Sequence, residues 1–574
     1  MKQIDIFMPV IIKVNMTTKE ITTIENPDYR LLGGRALSAR ILLDEVPPNC
    51  EPLGPKNKLV IAPGLLAGTP ITSGSRISCG AKSPMTNGIK EANSGGNIGL
   101  FLGRFGIKAV VIEGLPINDN MYVLKIDKEG ASLLVMNELR QLGTYDTDQK
   151  LRGRFGKDIG VLCIGPAGEN RLRMAAIASS DPNGELKFAA RGGLGAVMGS
   201  KGVKAVVVDK TLQQPVYHDR QKFMDMVRTI HAEFINDPKI KKVNQRTGTA
   251  TIVKAVNAMG ALPTYNFRQG AIDGVDGLSG ETMYETITSQ EGEGMAGVSC
   301  MNGCLIKCSN IYPDASGKKI CSTLQYENIA LLGSNLGFTN LDPVAKLNYE
   351  CDDIGVDAIE AGAVLGVAID MGMGKWGDLD GCMAMMKEIR NNTLLGKVLG
   401  HGVQVTGDVL GSRRIPAAKG QSFAGYDPRT LKGNGVTYAM SPMGADHTAG
   451  NCFGSRGEVN PLGTEQQGDL SKSLQYKMCA LDSLGFCIFA RPPLFKDPSK
   501  MSTLVNALLG TDLGVDQLWE IMGVNAVRTE REFNLWAGLS PANDKLPEYI
   551  YAEPLPPTNE VFDISEQECL KAIV

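Results

Sequence analysis

The chain has 574 residues, Lys+Arg 59 against Asp+Glu 62 and a formal charge of -3 at pH 7. That near balance excludes the basic footprint of a nucleic-acid or acidic-membrane binder, so the expected partners are small molecules and proteins. A length beyond what one hydrophobic core fills and 13 scattered cysteines predict two or three domains in a reducing, cytoplasmic setting, not a disulfide framework.

Residues 1–13 carry Asp5 and Pro9 inside their only apolar stretch, and no later run is long enough to cross a bilayer, so no membrane segment is expected. Gly 67 is well above the usual share of roughly one residue in fourteen. The glycines concentrate in the first two hundred residues, among short β-branched runs at 58–62, 108–113, 122–126, 161–164 and 204–208, which read as strands. Within this region residues 94–113 parallel residues 191–209: Ser94-Gly95-Gly96 and Arg191-Gly192-Gly193 each open a glycine turn, a short helix and a strand. Paired glycines at a helix start present backbone N–H groups to an anion, so two copies suggest two phosphates. The ordinary alternative is two sheet-packing turns without a ligand.

From Gln221 the pattern turns helical, with Phe223, Met226, Val227, Ile230 and Phe234 on one stripe, which puts a domain boundary near residue 210. Next come three thiols in nine residues, Cys300, Cys304 and Cys308, and a metal cluster is the first hypothesis for them. One buried helical face of small apolar cysteines is the ordinary alternative, weakened by Asn302 and Gly303. Zinc suits a triplet less well than two tight ligand pairs. Three ligands leave the site one short, and Cys487 is chosen as the fourth. Further on, Asp342-Pro343 predicts a helix cap with proline at the first helical position, and Asp357 opens a second helix. Residues 413–416 and the polar stretch to Gly435 suit another boundary, and the last twenty-odd residues read as a surface tail. A second duplication joins Asp352-Asp353-Ile354-Gly355-Val356-Asp357 to Asp482-Ser483-Leu484-Gly485-Phe486-Cys487. Each alone is a glycine-capped helix end; as a pair they offer two carboxylates to the N–H donors of a heterocycle, with Cys487 reaching a cluster from the same segment.

These motifs, with Gly33-Gly34-Arg35, Gly74-Ser75-Arg76, Tyr326-Glu327 and the run from Ser441 to His447, resemble in order and over nearly the whole chain the tungsten-containing aldehyde:ferredoxin oxidoreductases. The resemblance implies an α+β architecture: a β-rich cofactor-binding domain with an internal pseudo-two-fold repeat at 1–210, then two mainly α-helical domains at 211–415 and 416–574. It implies tungsten, or molybdenum, held by two pyranopterins, a [4Fe-4S] cluster and a magnesium ion bridging the pterin phosphates. Carried over residue by residue, Cys300, Cys304, Cys308 and Cys487 match cluster ligands, while Asp352, Asp357, Asp482 and Phe486 belong to the pterin turns. Arg76 matches a residue between cluster and pterin. Asn93, Gly95, Gly96, Arg191, Gly192 and Gly193 match the phosphate and magnesium region. Glu327 and His447 match the polar pair beside the metal, as base and as proton carrier or hydrogen-bond donor in oxidising an aldehyde to an acid. Electrons would pass to ferredoxin or a similar carrier, and an oligomer is expected. The triplet departs from the family's more usual Cys-x-x-Cys-x-x-x-Cys spacing. The alternatives are a low-potential reductase of a carboxylic or activated aromatic acid and a non-catalytic iron-sulfur electron-transfer protein, which has no need for paired phosphate loops.

Overall fold

The computed structural model describes residues 10–289 and 291–573, so the opening stretch through Pro9 lies outside it. The N-terminal part holds two six-stranded sheets. The first contains β1 (Val10–Asn15), β2 (Ile21–Glu25), β3 (Leu59–Pro63), β4 (Ile77–Lys82), β5 (Ile89–Ser94) and β6 (Ile107–Glu113). The second contains β7 (Tyr122–Asp127), β8 (Gly130–Val135), β9 (Ile159–Cys163), β10 (Ile177–Ser180), β11 (Leu186–Ala189) and β12 (Val203–Asp209). Their orders are β2-β1-β6-β3-β4-β5 and β8-β7-β12-β9-β10-β11, so adding six to each strand of the first gives the second. Register repeats too. The parallel pairs β1/β6 and β7/β12 each slip once at the start, then run Ile11↔Ala109 to Asn15↔Glu113 and Val123↔Ala205 to Ile126↔Val208. The duplication legible over some twenty residues therefore spans the whole β region.

The sheets bury one shared core. Val14, Leu59, Ile61 and Val110 of the first meet Leu124, Leu162, Val206 and Val208 of the second, with Phe101 and Leu102 of the helix Ile98–Arg104 and Val197 and Met198 of the helix Leu194–Ser200 completing it. Repeated glycines let these helices lie on backbone. A Cβ on Gly99 would stand 2.3 Å from Ser75 O, and one on Gly195 would stand 2.3 Å from Ala176 O.

Helices make up most of the remainder. Arg220–Asn236 buries Phe223, Val227, Ile230 and Phe234 of the predicted stripe, with Met226 partly buried, and packs on Ser499–Leu509. Another cluster joins Tyr326–Leu332, Leu341–Ile354 and Ala358–Asp370 to Lys432–Met440, so segments on both sides of residue 415 share one core.

Three local expectations need correction. The helix Leu341–Ile354 starts after Asn340, which puts Asp342 and Pro343 in its first turn, not at cap and first position. The polar run before Gly435 is no linker: Asp427, Arg429, Thr430 and Lys432 are buried, and Arg429 Nε lies 3.0 Å from Asp427 Oδ1. Nor is the C-terminus a surface tail, because Leu555, Phe562, Ile564 and Ala572 are buried. Phe562 occupies the space over Gly435, where a Cβ would meet its ring at 2.4 Å. Among the described residues no single helix is long and apolar enough to cross a membrane.

Candidate functional site

The two Asp-x-x-Gly turns dock on equivalent places of the two sheets. The helices Leu341–Ile354 and Gln467–Leu484 end at Gly355 and Gly485, whose left-handed φ values of +75° and +89° close the last turns. Gly355 O accepts from Ala176 N–H at 2.9 Å, and Gly485 O from Arg76 N–H at 3.0 Å; Ala176 and Arg76 immediately precede β10 and β4. Two residues on, Asp357 N–H donates to Met174 O and Cys487 N–H to Ser73 O, both at 2.9 Å. Gly165 and Gly64 face the turns across contacts that leave no room for a side chain: a Cβ on Gly165 would lie 2.2 Å from Ile354 O, and one on Gly64 would lie 2.1 Å from Gly485 Cα. The duplicated sheets thus receive duplicated turns.

At the second turn, Arg76 Nε donates to Asn93 Oδ1 at 2.5 Å, Asn93 Nδ2 to Asp482 Oδ1 at 3.1 Å, and Arg35 NH1 reaches Asp482 Oδ2 at 3.4 Å. Arg35 is also bound by Glu530 at 2.7 and 2.9 Å. Burial pushes the Asp482 carboxyl well above the usual range, Glu91 adds to this, and Arg35 and Arg76 oppose it. At the first turn, burial does the same to Asp352, which accepts from Asn348 Nδ2 at 3.1 Å. Asp357 caps its helix through Ile359 N–H at 3.0 Å and receives Arg191 Nε at 3.1 Å.

The four cysteines converge from two separate segments. The stretch 300–308 is a loop, which removes the helical-face alternative. It is tied down at its start and middle, for Gly96 N–H donates to Cys300 O at 2.7 Å and Thr72 Oγ1 to Gly303 O at 3.0 Å. Ser73, which receives the Cys487 N–H, also donates through Oγ to Cys304 Sγ at 3.4 Å. Cys304 accepts a hydrogen bond from Cys300 and one from Ser73, which together bring its thiol down to about 6, whereas giving that bond, with burial, pushes Cys300 up. Burial also raises Cys308 and Cys487. Among the described residues all thirteen cysteines are free, and no group of three or more His, Cys, Asp or Glu is set to hold a single ion. A polynuclear cluster, which spreads its thiolates wider than one ion does, fits this donor set.

A cavity of about 1160 Å³ brings most of these groups together: Arg76, Asn93, Asp482, Cys300, Cys308 and Cys487 line it with Glu327 and His447. Cys304 lies behind this wall, against Ser73. Asp352, Asp357, Arg191, Gly192, Gly193 and Phe486 do not line it either. Phe486 is buried with Cys304 and Cys308, Gly192 O accepts from Ser83 Oγ at 2.7 Å, and Gly193 leaves no room for a Cβ, which would lie 2.2 Å from Arg173 O. Gly95 faces Cys300, whose Sγ a Cβ there would meet at 3.1 Å.

Glu327 follows Tyr326 at the start of Tyr326–Leu332, where Asn328, not an acid, completes the helix cap. Its Oε2 accepts from Gly425 N–H at 2.6 Å and its Oε1 lies 3.3 Å from His447 Nε2. Oε1 and His447 Nδ1 are buried without a hydrogen-bond partner. Glu327 Oε1, open beside a large cavity, suits a group that arrives from outside the chain. Tyr426, 6.2 Å from the imidazole, and Tyr326, 5.0 Å from Tyr426, wall the pair, and burial pushes both phenols far above their usual range. Arg35, Glu530, Ser73 and Tyr426 escaped the sequence reading of the site. Arg35 alone had a signal, the Gly-Gly before it.

The family model "Aldehyde ferredoxin oxidoreductase, N-terminal domain" matches residues 11–210 and "Aldehyde ferredoxin oxidoreductase, domains 2 & 3" matches residues 225–572. A tungsten-containing aldehyde ferredoxin oxidoreductase of Thermococcus kodakarensis is 31% identical over 573 residues, covering 95% of this chain and 91% of the relative. One of Pyrococcus furiosus is 31% identical over 582 residues with the same coverage. In structure, the active-site complex BamBC of benzoyl coenzyme A reductase superposes with a TM-score of 0.82 at 18% identity, over 99% of this chain and 93% of that one, which speaks to the fold alone. With both family models in register with the two sheets and the helical remainder, the chain belongs to the aldehyde ferredoxin oxidoreductase family.

Proposed function

We propose that the protein oxidises an aldehyde to the carboxylic acid and passes the electrons singly through a [4Fe-4S] cluster to a ferredoxin-like carrier. The observation that carries this is the Glu327–His447 pair, 3.3 Å apart with open polar atoms, in the same cavity as three of the four converging cysteines. A bis-pyranopterin centre of tungsten, or of molybdenum, supplies the two-electron acceptor when bound. Asp482, Arg76 and Asn93 would hold one pterin from the cavity wall. Asp352 and Asp357 would support the other, and Arg191 with the regions of Gly95, Gly96, Gly192 and Gly193 the phosphates and their magnesium. Cys300, Cys304, Cys308 and Cys487 would carry the cluster.

Around the reacting carbon the chain handles protons. Glu327, fixed through Oε2 by the Gly425 N–H, presents Oε1 to take the proton of the attacking water. His447 Nε2, 3.3 Å from that Oε1, takes the proton over from Glu327 and passes it on. Tyr326 and Tyr426, kept neutral by burial, limit water on that side. Reduction of an acid uses the same groups in reverse with a sufficiently reducing carrier. A steady-state panel of aldehydes with a viologen acceptor tests the reading. Aldehyde-dependent reduction is expected, and none with metal-replete protein would refute it.

A further inference from the structure

We infer that Asp446 is a positioning residue that sets the proton of His447 on Nδ1, and that the two β-sheet halves hold it there through Lys90 and Arg191. This rests on the reading of His447 as a proton-handling group. Asp446 is buried and caps the turn His447–Ala449. Its Oδ1 accepts from Thr448 N–H at 2.9 Å and Thr448 Oγ1 at 2.8 Å and lies 3.8 Å from His447 Nδ1, while its Oδ2 is paired with Lys90 Nζ. Lys90 lies on β5 of the first sheet. Arg191, just past β11 of the second, places NH1 on Ala445 O at 2.6 Å, NH2 on Ser422 O at 2.7 Å and Nε on Asp357 at 3.1 Å. One cation from each half of the duplication therefore clasps the loop that carries the imidazole.

That arrangement gives Arg191 a task besides the phosphate region, because its guanidinium is already shared among three protein acceptors. Burial alone would raise the Asp446 carboxyl, but Lys90 and Arg191 outweigh it and keep it anionic, well below the usual range. Around His447 the titratable or charged groups are Glu327, Asp446 and Tyr426, with Lys90 and Arg191 behind Asp446. The helix Gln467–Leu484 meets the same turn with Leu474 and Gln475, which carry no charge. The only carboxylate beside Nδ1 among the described residues is thus Asp446, and a fixed anion there favours the Nδ1–H form. Nε2 is left as an acceptor facing Glu327 Oε1, free to take the proton that Glu327 removes. The line Asp446, His447, Glu327 ties proton handling to the same two cations that anchor the loop.

The chain has four histidines, so nitrogen-15 histidine labelling of the oxidised holoprotein reads His447 directly, assigned with His447→Asn. For Asp446→Asn, with iron and metal content retained, we expect a shift toward the Nε2–H tautomer. Because Nε2 then already carries a proton, kcat should fall with KM little changed. Should Lys90 left alone prevent folding, the double variant Lys90→Met/Asp446→Leu removes both charges and is expected to give the same tautomer shift and the same fall in kcat. An unchanged tautomer and an unchanged kcat in a metal-replete variant overturn the inference while leaving the functional reading intact. Near-normal turnover in His447→Asn overturns both.

Discussion

Gly485→Ala tests the docked turn in a way that can be worked from the geometry. Gly485 has a φ of +89°, and an added Cβ would lie 2.9 Å from Gly64 Cα and 3.1 Å from Gly74 O, which are backbone atoms that cannot swing aside. The left-handed conformation costs alanine about 1 kcal/mol. Forcing a methyl into packed backbone adds about 1–3 kcal/mol, for a total of about 2–4 kcal/mol. Gly372→Ala is the control: its φ is +86°, yet nothing lies within 4 Å of its Cβ, so only the conformational part, about 1 kcal/mol, is lost. Because the Gly485 turn also places Cys487 through its N–H to Ser73 O, the first variant should lose iron and the control should not. Thermal unfolding by circular dichroism and iron content after anaerobic purification give both readouts. Equal losses in the two variants would refute the docking argument.

Cys487→Ala should abolish the cluster's electron paramagnetic resonance signal after reduction while pterin stays bound; an unchanged spectrum removes Cys487 from the ligand set. Glu327→Gln should leave metal and cluster in place while turnover falls about 10²–10⁴-fold, and a loss below tenfold would take it off the catalytic list. Glu530→Gln breaks the two-bond pair with buried Arg35 at 2.7 and 2.9 Å and should cost about 3–5 kcal/mol, seen as a lowered unfolding temperature. A cost under 1 kcal/mol would mean that Asp482 alone satisfies Arg35. Asp352, raised by burial, should destabilise the cofactor-free protein as pH rises through its folded value and cost nothing below its unfolded value of about 4. Asp352→Asn should therefore unfold later than wild type at pH 7, with the gap closing near pH 4; a gap that does not depend on pH contradicts this.

Much of this architecture was legible where backbone chemistry is local. The strand runs, the stripe from Phe223 to Phe234 and the Asp357 cap depend on nearest neighbours, and the structure has them. The repeat showed where glycines let a helix lie on backbone, as at Gly99 over Ser75 O and Gly195 over Ala176 O. Elsewhere, as along β3 and β9, any apolar residue fills a shared core, so the copies have drifted beyond recognition. The stretch before Gly435 misled because polarity usually marks solvent, whereas here Asp427 and Arg429 satisfy each other inside the core. Arg35–Glu530 and Lys90–Asp446 were invisible for another reason: each pair joins residues hundreds of positions apart, and only the fold brings them together.

Elemental and pterin analysis of the protein purified anaerobically asks the central question most directly. The account predicts pterin, about one tungsten or molybdenum and about four irons per chain. A folded chain with its full iron but neither a group-six metal nor pterin would contradict it.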